Sequence, residues 1–433
     1  MQATAGTQFE IADAAREMKL ASPEVAATSI ETRNAALAAI KEALAANAEA
    51  IFAANAEDLA AADAAGVAPA IVKRLKFDQH KLDDVCAGIQ DLIGLPDPIG
   101  AVLLDRDLDE GLRLKRIACP IGVIGVIFEA RPDALVQIST LCLKSGNCSI
   151  LKGGSETART NKALFGLIHG AAVEAGMPEA CMLQVEARED IGKLLACDGS
   201  VDLLIPRGSN SFVRYIMDNT RIPVMGHADG ICHIYVDASA DPEIAIPVIV
   251  DAKTQYTAAC NAVETLLVHK DIAGSFLPLL AAACQEAGIE LRGDEAVQAV
   301  VDCVPATDAD WATEYLDLIV SAKVVQDIDE AIAHINRYGS HHTDAIMAED
   351  DAAAARFMQL VDSAGVYRNC STRFADGFRY GFGAEVGIST SKLHARGPVG
   401  LEGLVTYKYQ IEGHGHIVGD YASGKRSFHF RDR

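Results

Sequence analysis

Residues 122–153 read GVIGVIFEARPDALVQISTLCLKSGNCSILKG, and the fold follows from them. The run 122–128 is apolar without alternation, the pattern of a strand buried on both faces. Residues 133–144 carry apolar positions at helical spacing, and 147–153 return to a short strand-like run. Strand, helix and strand in about thirty residues make a βαβ unit, which requires a parallel sheet.

Working outward, the alternation continues. A helix is expected from 156 to about 175, then strand-like runs at 181–185 (CMLQV), 201–206 (VDLLIP) and 221–226 (RIPVMG). A second block begins near Pro242, with a helix over 241–253, a loop carrying Cys260 and a strand at 265–268. Helices over 274–287 and 328–336 and a Gly-rich stretch at 377–387 follow. No GxGxxG is present, which removes the usual dinucleotide fingerprint but not the doubly wound fold. On the other side, residues 11–65 are Ala-rich with amphipathic spacing and read as helices. Pro96 and Pro98 mark a break, and 103–114 and 115–121 read as extended strands. Late in the chain, LEGLVTYKYQIEGHG reads as a short strand pair with no helix to cover it, an edge or an oligomer contact. The tail GKRSFHFRDR is expected to be a mobile or surface end.

Composition limits what such a chain does. Its 433 residues suffice for two or three domains. A formal net charge of −22 repels nucleic acid and anionic membranes, so an anionic substrate would need a local cationic pocket. Eleven cysteines without CxxC pairs point to free thiols in a reducing compartment. The first residues lack the layout of a secretory signal, and no apolar run approaches the length of a membrane span. A cytoplasmic enzyme is the expectation.

One cysteine stands apart. Cys142 in ISTLCLK and Cys284 in LLAAACQEAG sit in core patterns, whereas Cys260 lies in KTQYTAACNAVETLLVH (253–269), after a polar loop and before a strand. A thiol at such a junction is exposed and rigidly backed, which suits a nucleophile. Arg131 follows the first strand of the parallel sheet at its carboxyl end, where open α/β sheets place ligands. It is a candidate phosphate or carboxylate clamp, with Glu129 alternatively fixing it. Arg368, Asn369 and Arg373 belong to a polar cluster after VY, and Arg379 lies close in sequence.

The segments VIFEARPDALVQISTLCLKSGN, LKGGSE, AKTQYTAACNAVETLLVH, AIAHINRYGSHHTDAI and VYRNCSTRFADGFRYGFGAEVGISTSKLHARGPVGLEGLVTYKY span about two thirds of the chain. Their order resembles the aldehyde dehydrogenase superfamily, and within it they are similar to the γ-glutamyl phosphate reductase family. The resemblance implies an aldehyde dehydrogenase-like α/β fold of two parallel-sheet domains plus a small strand element for oligomerisation. The cofactor-binding domain would take residues 1–102 and 121–240, and the catalytic domain 241–396. The oligomerisation strands would be 103–120 and 397–416, and the tail 417–433.

The implied activity is NADPH-dependent reduction of L-glutamate 5-phosphate to L-glutamate 5-semialdehyde plus phosphate, in proline biosynthesis. Cys260 would attack the acyl carbon and form a thioester. Asn261 or the Cys260 amide is the candidate oxyanion donor, with a plain turn as the alternative for Asn261. By resemblance, Lys152 with Gly153, Gly154, Ser155 and Glu156 would meet the NADP(H) ribose or its 2′-phosphate. Arg207, Gly208 and Ser209 open a helix whose amides could face the pyrophosphate, or Ser209 simply caps it. Glu385 would hold the nicotinamide ribose. The stretch 224–235, VMGHADGICHIY, lacks the glutamate with which hydrolytic members activate water, and Asp229 is the nearest substitute. His341, His342, His414 and His416 invite a metal reading, but the implied chemistry needs none, so no metal is expected.

The alternatives are a hydrolytic or CoA-acylating NAD(P)-dependent aldehyde dehydrogenase, or a non-catalytic nucleotide-binding scaffold. The expected partners are a small-molecule substrate, copies of the same chain in a homo-oligomer, and glutamate 5-kinase, since the acyl phosphate is labile.

Overall fold

The computed structural model describes residues 10–186, 190–227, 229–383 and 385–433. The residues 1–9, whose lack of a signal layout is noted above, lie outside them. The chain forms two compact units, Met1–Met225 with Val399–Arg433, and Gly226–Pro398.

The first unit is built on a four-stranded parallel sheet in the order Met182–Val185, Cys148–Gly153, Val123–Phe128, Leu203–Arg207. All six residues of Val123–Phe128 are buried. The packing is close enough that a Cβ at Gly125 would meet Leu204 Cδ2 at 2.5 Å, which is why a glycine interrupts the apolar run. Helix Pro132–Lys144 opens on a proline, where a missing N–H costs nothing, and buries nearly every residue. The first strand is flanked by the second on one side and the fourth on the other. The strand order therefore reverses between Val123–Phe128 and Leu203–Arg207. The expected strand at 221–226 is reduced to a single bridge between Leu204 and Val224, because prolyl 223 and the turn around it allow no longer ladder.

The same unit carries a four-stranded antiparallel sheet in the order Val405–Glu412, Leu112–Pro120, Val102–Asp109, Arg431–Asp432. The sequence suggested a strand pair and a loose tail. Instead the tail folds back and pairs with Val102–Asp109. Arg106 grips Asp432 through Nη2 at 3.0 Å, and Arg433 Nε grips Asp107 at 2.9 Å. Alternating charges on both strands make that pairing, a register the composition of the tail alone does not reveal.

The second unit holds seven parallel strands in the order Val304–Pro305, Glu290–Gly293, Ile319–Val325, Val263–His269, Cys232–Val236, Thr343–Met347, Gly365–Arg368. Successive side chains on the central strands go to opposite faces, as the pleat demands. Ile234, Leu266, Val268 and Ala345 pack with Ile249 and Phe276 of helices Pro242–Thr254 and Lys270–Glu286. Tyr235, Leu267 and Ile346 pack with Ile332 and Phe357 of helices Ile328–Tyr338 and Asp351–Leu360. Both faces are covered, hence the unbroken apolar runs in the sequence. Cys232–Val236 belongs to this sheet, so the division between units falls after residue 225, not at the expected 240.

Candidate active site

Cys260 lies in the turn between helix Pro242–Thr254 and strand Val263–His269. The turn is closed by Ala262 N–H donating to Ala259 O at 2.9 Å. Its two ends are clamped by an ion pair, Lys253 Nζ to Glu264 Oε2 at 2.6 Å, with both side chains fully buried. Burial pushes the Glu264 carboxyl up to about 7, while the ammonium beside it pulls the other way. From the other side, Thr372 Oγ1 donates to Asn261 O at 2.7 Å, and Asn261 Nδ2 donates to Ala375 O at 2.9 Å. The Asn261 amide is thus turned onto the next segment, and its Oδ1 is buried without a partner among the described residues. Cys232 Sγ donates to Cys260 O at 3.4 Å. Gly230 lies so close that a Cβ there would meet Cys260 O at 2.1 Å. The thiol is held by its main chain on every side.

Cys260 is partly exposed, whereas Cys142, Cys148, Cys181, Cys197, Cys232 and Cys284 are buried. Burial pushes up the thiols of all ten other cysteines, Cys142, Cys148 and Cys181 to about 12. They are poor nucleophiles at neutral pH.

Cys260, Gly230 and His342 all immediately precede adjacent strands, so the thiol stands at the amino-terminal edge of the sheet. One ring nitrogen each of His227 and His342 and the Cys260 sulfur lie within 4.8 Å of one another. The sequence named His342 only as a metal candidate and did not name His227. Its one available signal was that His342 directly precedes a strand of the parallel series. His341 is turned to Asp362 O, while His416 contacts Glu110 O in the first unit.

Arg373 joins the site. Its buried guanidinium donates through Nε to Gln255 Oε1 at 2.9 Å. Burial and the Arg379 cation hold it below the usual guanidinium range, and Cys260 acts on it in the opposite sense. Arg379 Nη1 donates to Arg373 O at 2.6 Å. Arg368 and Asn369 are not brought to the thiol. They follow strand Gly365–Arg368 at its carboxyl end, where Arg368 donates to Asp351 at 2.6 Å and to the Ala348 and Glu349 carbonyls. Asn369, at φ 51°, accepts from Ala348 N–H. Glu385 Oε2 accepts from Gly377 N–H at 2.8 Å.

In the first unit the strand-end residues come together. Lys152 closes strand Cys148–Gly153, is nearly buried, and donates to Gly153 O. Burial lowers its ammonium, with Glu156, Asp190 and Glu186 pulling it back up. A Cβ at Gly154 would strike Glu156, whose Oε1 accepts from Ala130 N–H at 2.7 Å. Arg207 ends its strand, and Ser209 N–H donates to Glu129 Oε2 at 3.0 Å. Two carboxylates therefore tie the loops after three strands, and Glu129 occupies the helix N-terminus that the sequence offered to a pyrophosphate. Ser155 and Arg131 are exposed, Arg131 just ahead of helix Pro132–Lys144.

Residues 1–303 match the aldehyde dehydrogenase family. The chain is 57% identical over 423 residues to the gamma-glutamyl phosphate reductase of Pelotomaculum thermopropionicum, covering 98% of each chain. It is 58% identical over 409 residues to that of Ruminiclostridium cellulolyticum, covering 94% of this chain and 95% of the other. The chain belongs to the aldehyde dehydrogenase family, among the gamma-glutamyl phosphate reductases. Among solved structures, the gamma-glutamyl phosphate reductase of Thermotoga maritima superposes with a TM-score of 0.92 at 41% identity. That match covers 94% of this chain and 100% of that one. The aldehyde dehydrogenase-like fold that the resemblance implied is thereby established. No described helix is long and apolar enough to cross a membrane.

Proposed function

We propose that this protein reduces L-glutamate 5-phosphate to L-glutamate 5-semialdehyde and phosphate, the acyl-phosphate step of proline biosynthesis, with NADPH as reductant. The observation that carries the reading is a partly exposed thiol, clamped in place and gathered with two histidines, in a chain similar over its whole length to gamma-glutamyl phosphate reductases.

The Cys260 thiolate attacks the acyl carbon. The C–O bond to phosphate breaks, phosphate departs, and a thioester remains. When bound, the reduced nicotinamide supplies hydride to that thioester. The resulting thiohemiacetal alkoxide collapses, breaking the C–S bond and returning the thiolate with release of the aldehyde. Arg373 offers a cation to the phosphoryl oxygens. The N–H of Cys260 and the second N–H of Asn261 are the donors available to the acyl oxygen. Within 224–235 the only carboxylate is Asp229, and Gly230, against the Cys260 carbonyl, has no room for a side chain, which disfavours thioester hydrolysis.

The cofactor's phosphates are assigned to the carboxyl ends of the first unit's sheet. Two cations stand there, Lys152 and Arg207, on the strands flanking Val123–Phe128, so the residues fit a phosphate-bearing dinucleotide. Gly153, Gly154, Ser155, Glu156 and Gly208 would line it, Ser209 would join once its N–H is freed from Glu129, and by family resemblance Glu385 would hold the nicotinamide ribose. Arg131 remains a candidate for the substrate's carboxylate. We also assign the enzyme to the cytoplasm, in keeping with eleven unpaired cysteines, as a homo-oligomer in contact with glutamate 5-kinase. Failure of the two enzymes to co-purify, with no kinetic gain on mixing, would remove the kinase from this scheme.

The reaction is best tested in reverse, from glutamate 5-semialdehyde and NADP⁺, following NADPH absorbance with and without inorganic phosphate. Phosphate-dependent reduction that vanishes in Cys260→Ala is the expected result. Turnover independent of phosphate would replace the reading with a hydrolytic dehydrogenase, and cofactor binding without turnover would replace it with a scaffold.

A further inference from the structure

His342 is 1% exposed, and its two ring nitrogens differ in their surroundings. Nδ1 lies 2.9 Å from Thr343 Oγ1, while Nε2 is buried with no hydrogen-bond partner among the described residues. A buried imidazole nitrogen left unpaired is unfavourable unless a donor comes to it. The Cys260 thiol is a donor lining the same space, with Sγ and one ring nitrogen of His342 within 4.8 Å of each other. His227 walls the same space. Its ring stands edge-on to His342, with centroids 4.9 Å apart, and its Nδ1–H donates to Ile388 O at 2.9 Å. A carbonyl only accepts, so that bond fixes the His227 tautomer at Nδ1. Among the described residues, the titratable and charged groups near the thiol include His227, His342 and Arg373, with Cys232 bonded to the Cys260 carbonyl.

We propose that His342 is the proton partner of Cys260. Its Nε2 takes the thiol proton, so that an S–H bond breaks and an N–H bond forms, and the resulting imidazolium stands against the thiolate. During acyl transfer that proton passes from Nε2 to the departing phosphate oxygen, which leaves as hydrogen phosphate. After the aldehyde is released, the thiolate faces neutral His342, and Nε2 takes one proton from solvent to restore the pair. One proton is consumed per turnover, as the overall reduction requires. Thr343 Oγ1 on Nδ1 orients the ring.

The inference rests on Cys260 being the nucleophile, but its test needs neither substrate nor cofactor, so the two can fail separately. Iodoacetamide alkylation of Cys260, read by peptide mass spectrometry from pH 5.5 to 9.5, compares the wild type with His342→Gln. The wild type should keep substantial reactivity below neutral pH. The variant should lose at least tenfold in rate at pH 6.5, its midpoint moving up by a unit or more toward the ordinary thiol value of about 8.5. A variant whose rate falls equally at every pH, with the midpoint unmoved, would show a merely structural histidine and overturn the proposal, as would superposable profiles. Should His342→Gln not fold, histidine-selective NMR of the wild type against Cys260→Ser decides the matter. His342 should be imidazolium at pH 8 only when the thiol is present. The same state in both proteins would overturn the proposal.

Discussion

Arg373 is a buried cation in a protein with a net charge of −22, and the Cys260 charge acts to favour it. An average field that repels anions is overcome only locally, and a guanidinium kept dry beside the thiol does this more strongly than an exposed one. Gln255 holds its Nε and Arg379 holds the carbonyl of its backbone, so little ordering remains to be done when an anion arrives. In the reverse assay, Arg373→Met should raise KM for inorganic phosphate by roughly tenfold to a hundredfold, the equivalent of about 1.5–3 kcal/mol for a charged hydrogen bond. KM for NADP⁺ should stay within about twofold, because the cofactor's phosphates are assigned to the other unit. Equal losses for both ligands would mean that the arginine supports the fold of the site rather than the phosphate. The four arginines of the segment 368–396 look alike in sequence. Only folding separates Arg373, buried at the thiol, from Arg368, which is spent on Asp351 and two carbonyls.

At the scale of elements, the alternation of apolar strands and helices was readable because a strand buried on both faces leaves an unbroken hydrophobic run. GVIGVIF and VETLLVH announce themselves in this way. What periodicity does not carry is which edge of a sheet a residue reaches. The family resemblance drew attention to Lys152, and the helix start to Arg207, and both lie at strand ends in the first unit. In the second unit, the thiol, Gly230 and His342 gather at the amino edge, brought there by strands distant in sequence. Nor did composition reveal that the tail pairs with Val102–Asp109. That pairing leaves Val405–Glu412 as the opposite edge of the antiparallel sheet, with Tyr407, Tyr409 and Ile411 at 50%, 58% and 61% exposure. Spaced two apart, they form one apolar stripe beside unpaired backbone groups, the sort of edge that associates unless covered. We expect the wild type to run as an oligomer in sedimentation velocity. Tyr409→Glu with Ile411→Lys should shift the mass toward the 45.8 kDa monomer while far-UV circular dichroism is preserved. An unchanged sedimentation coefficient would place the contact elsewhere.

For the molecule as a whole, acidification from pH 7 toward the sequence pI of about 4.9 removes net negative charge and should relieve self-repulsion. One buried group opposes this. His334, on helix Ile328–Tyr338, is packed edge-on against Trp311 and His233 and tilted against Tyr338. Burial first, then His233 and the cations Lys323 and Arg337, push its imidazole down to about 3. A histidine depressed in the fold contributes stability that is complete above its unfolded value of about 6.5 and drains away as pH falls toward the folded one. Between pH 6.5 and 5 the loss is about 1.5 units, or roughly 2 kcal/mol. His334→Phe removes the titration while keeping a ring among rings. The chain's single tryptophan, Trp311, lies in the same unit and reports its unfolding. In urea titrations followed by Trp311 emission, the stability of the variant relative to the wild type should rise by about 2 kcal/mol on going from pH 7 to pH 5. A difference that stays constant across that range would mean that His334 is protonated in the fold at pH 5, and that the acid sensitivity of the second unit lies in another group.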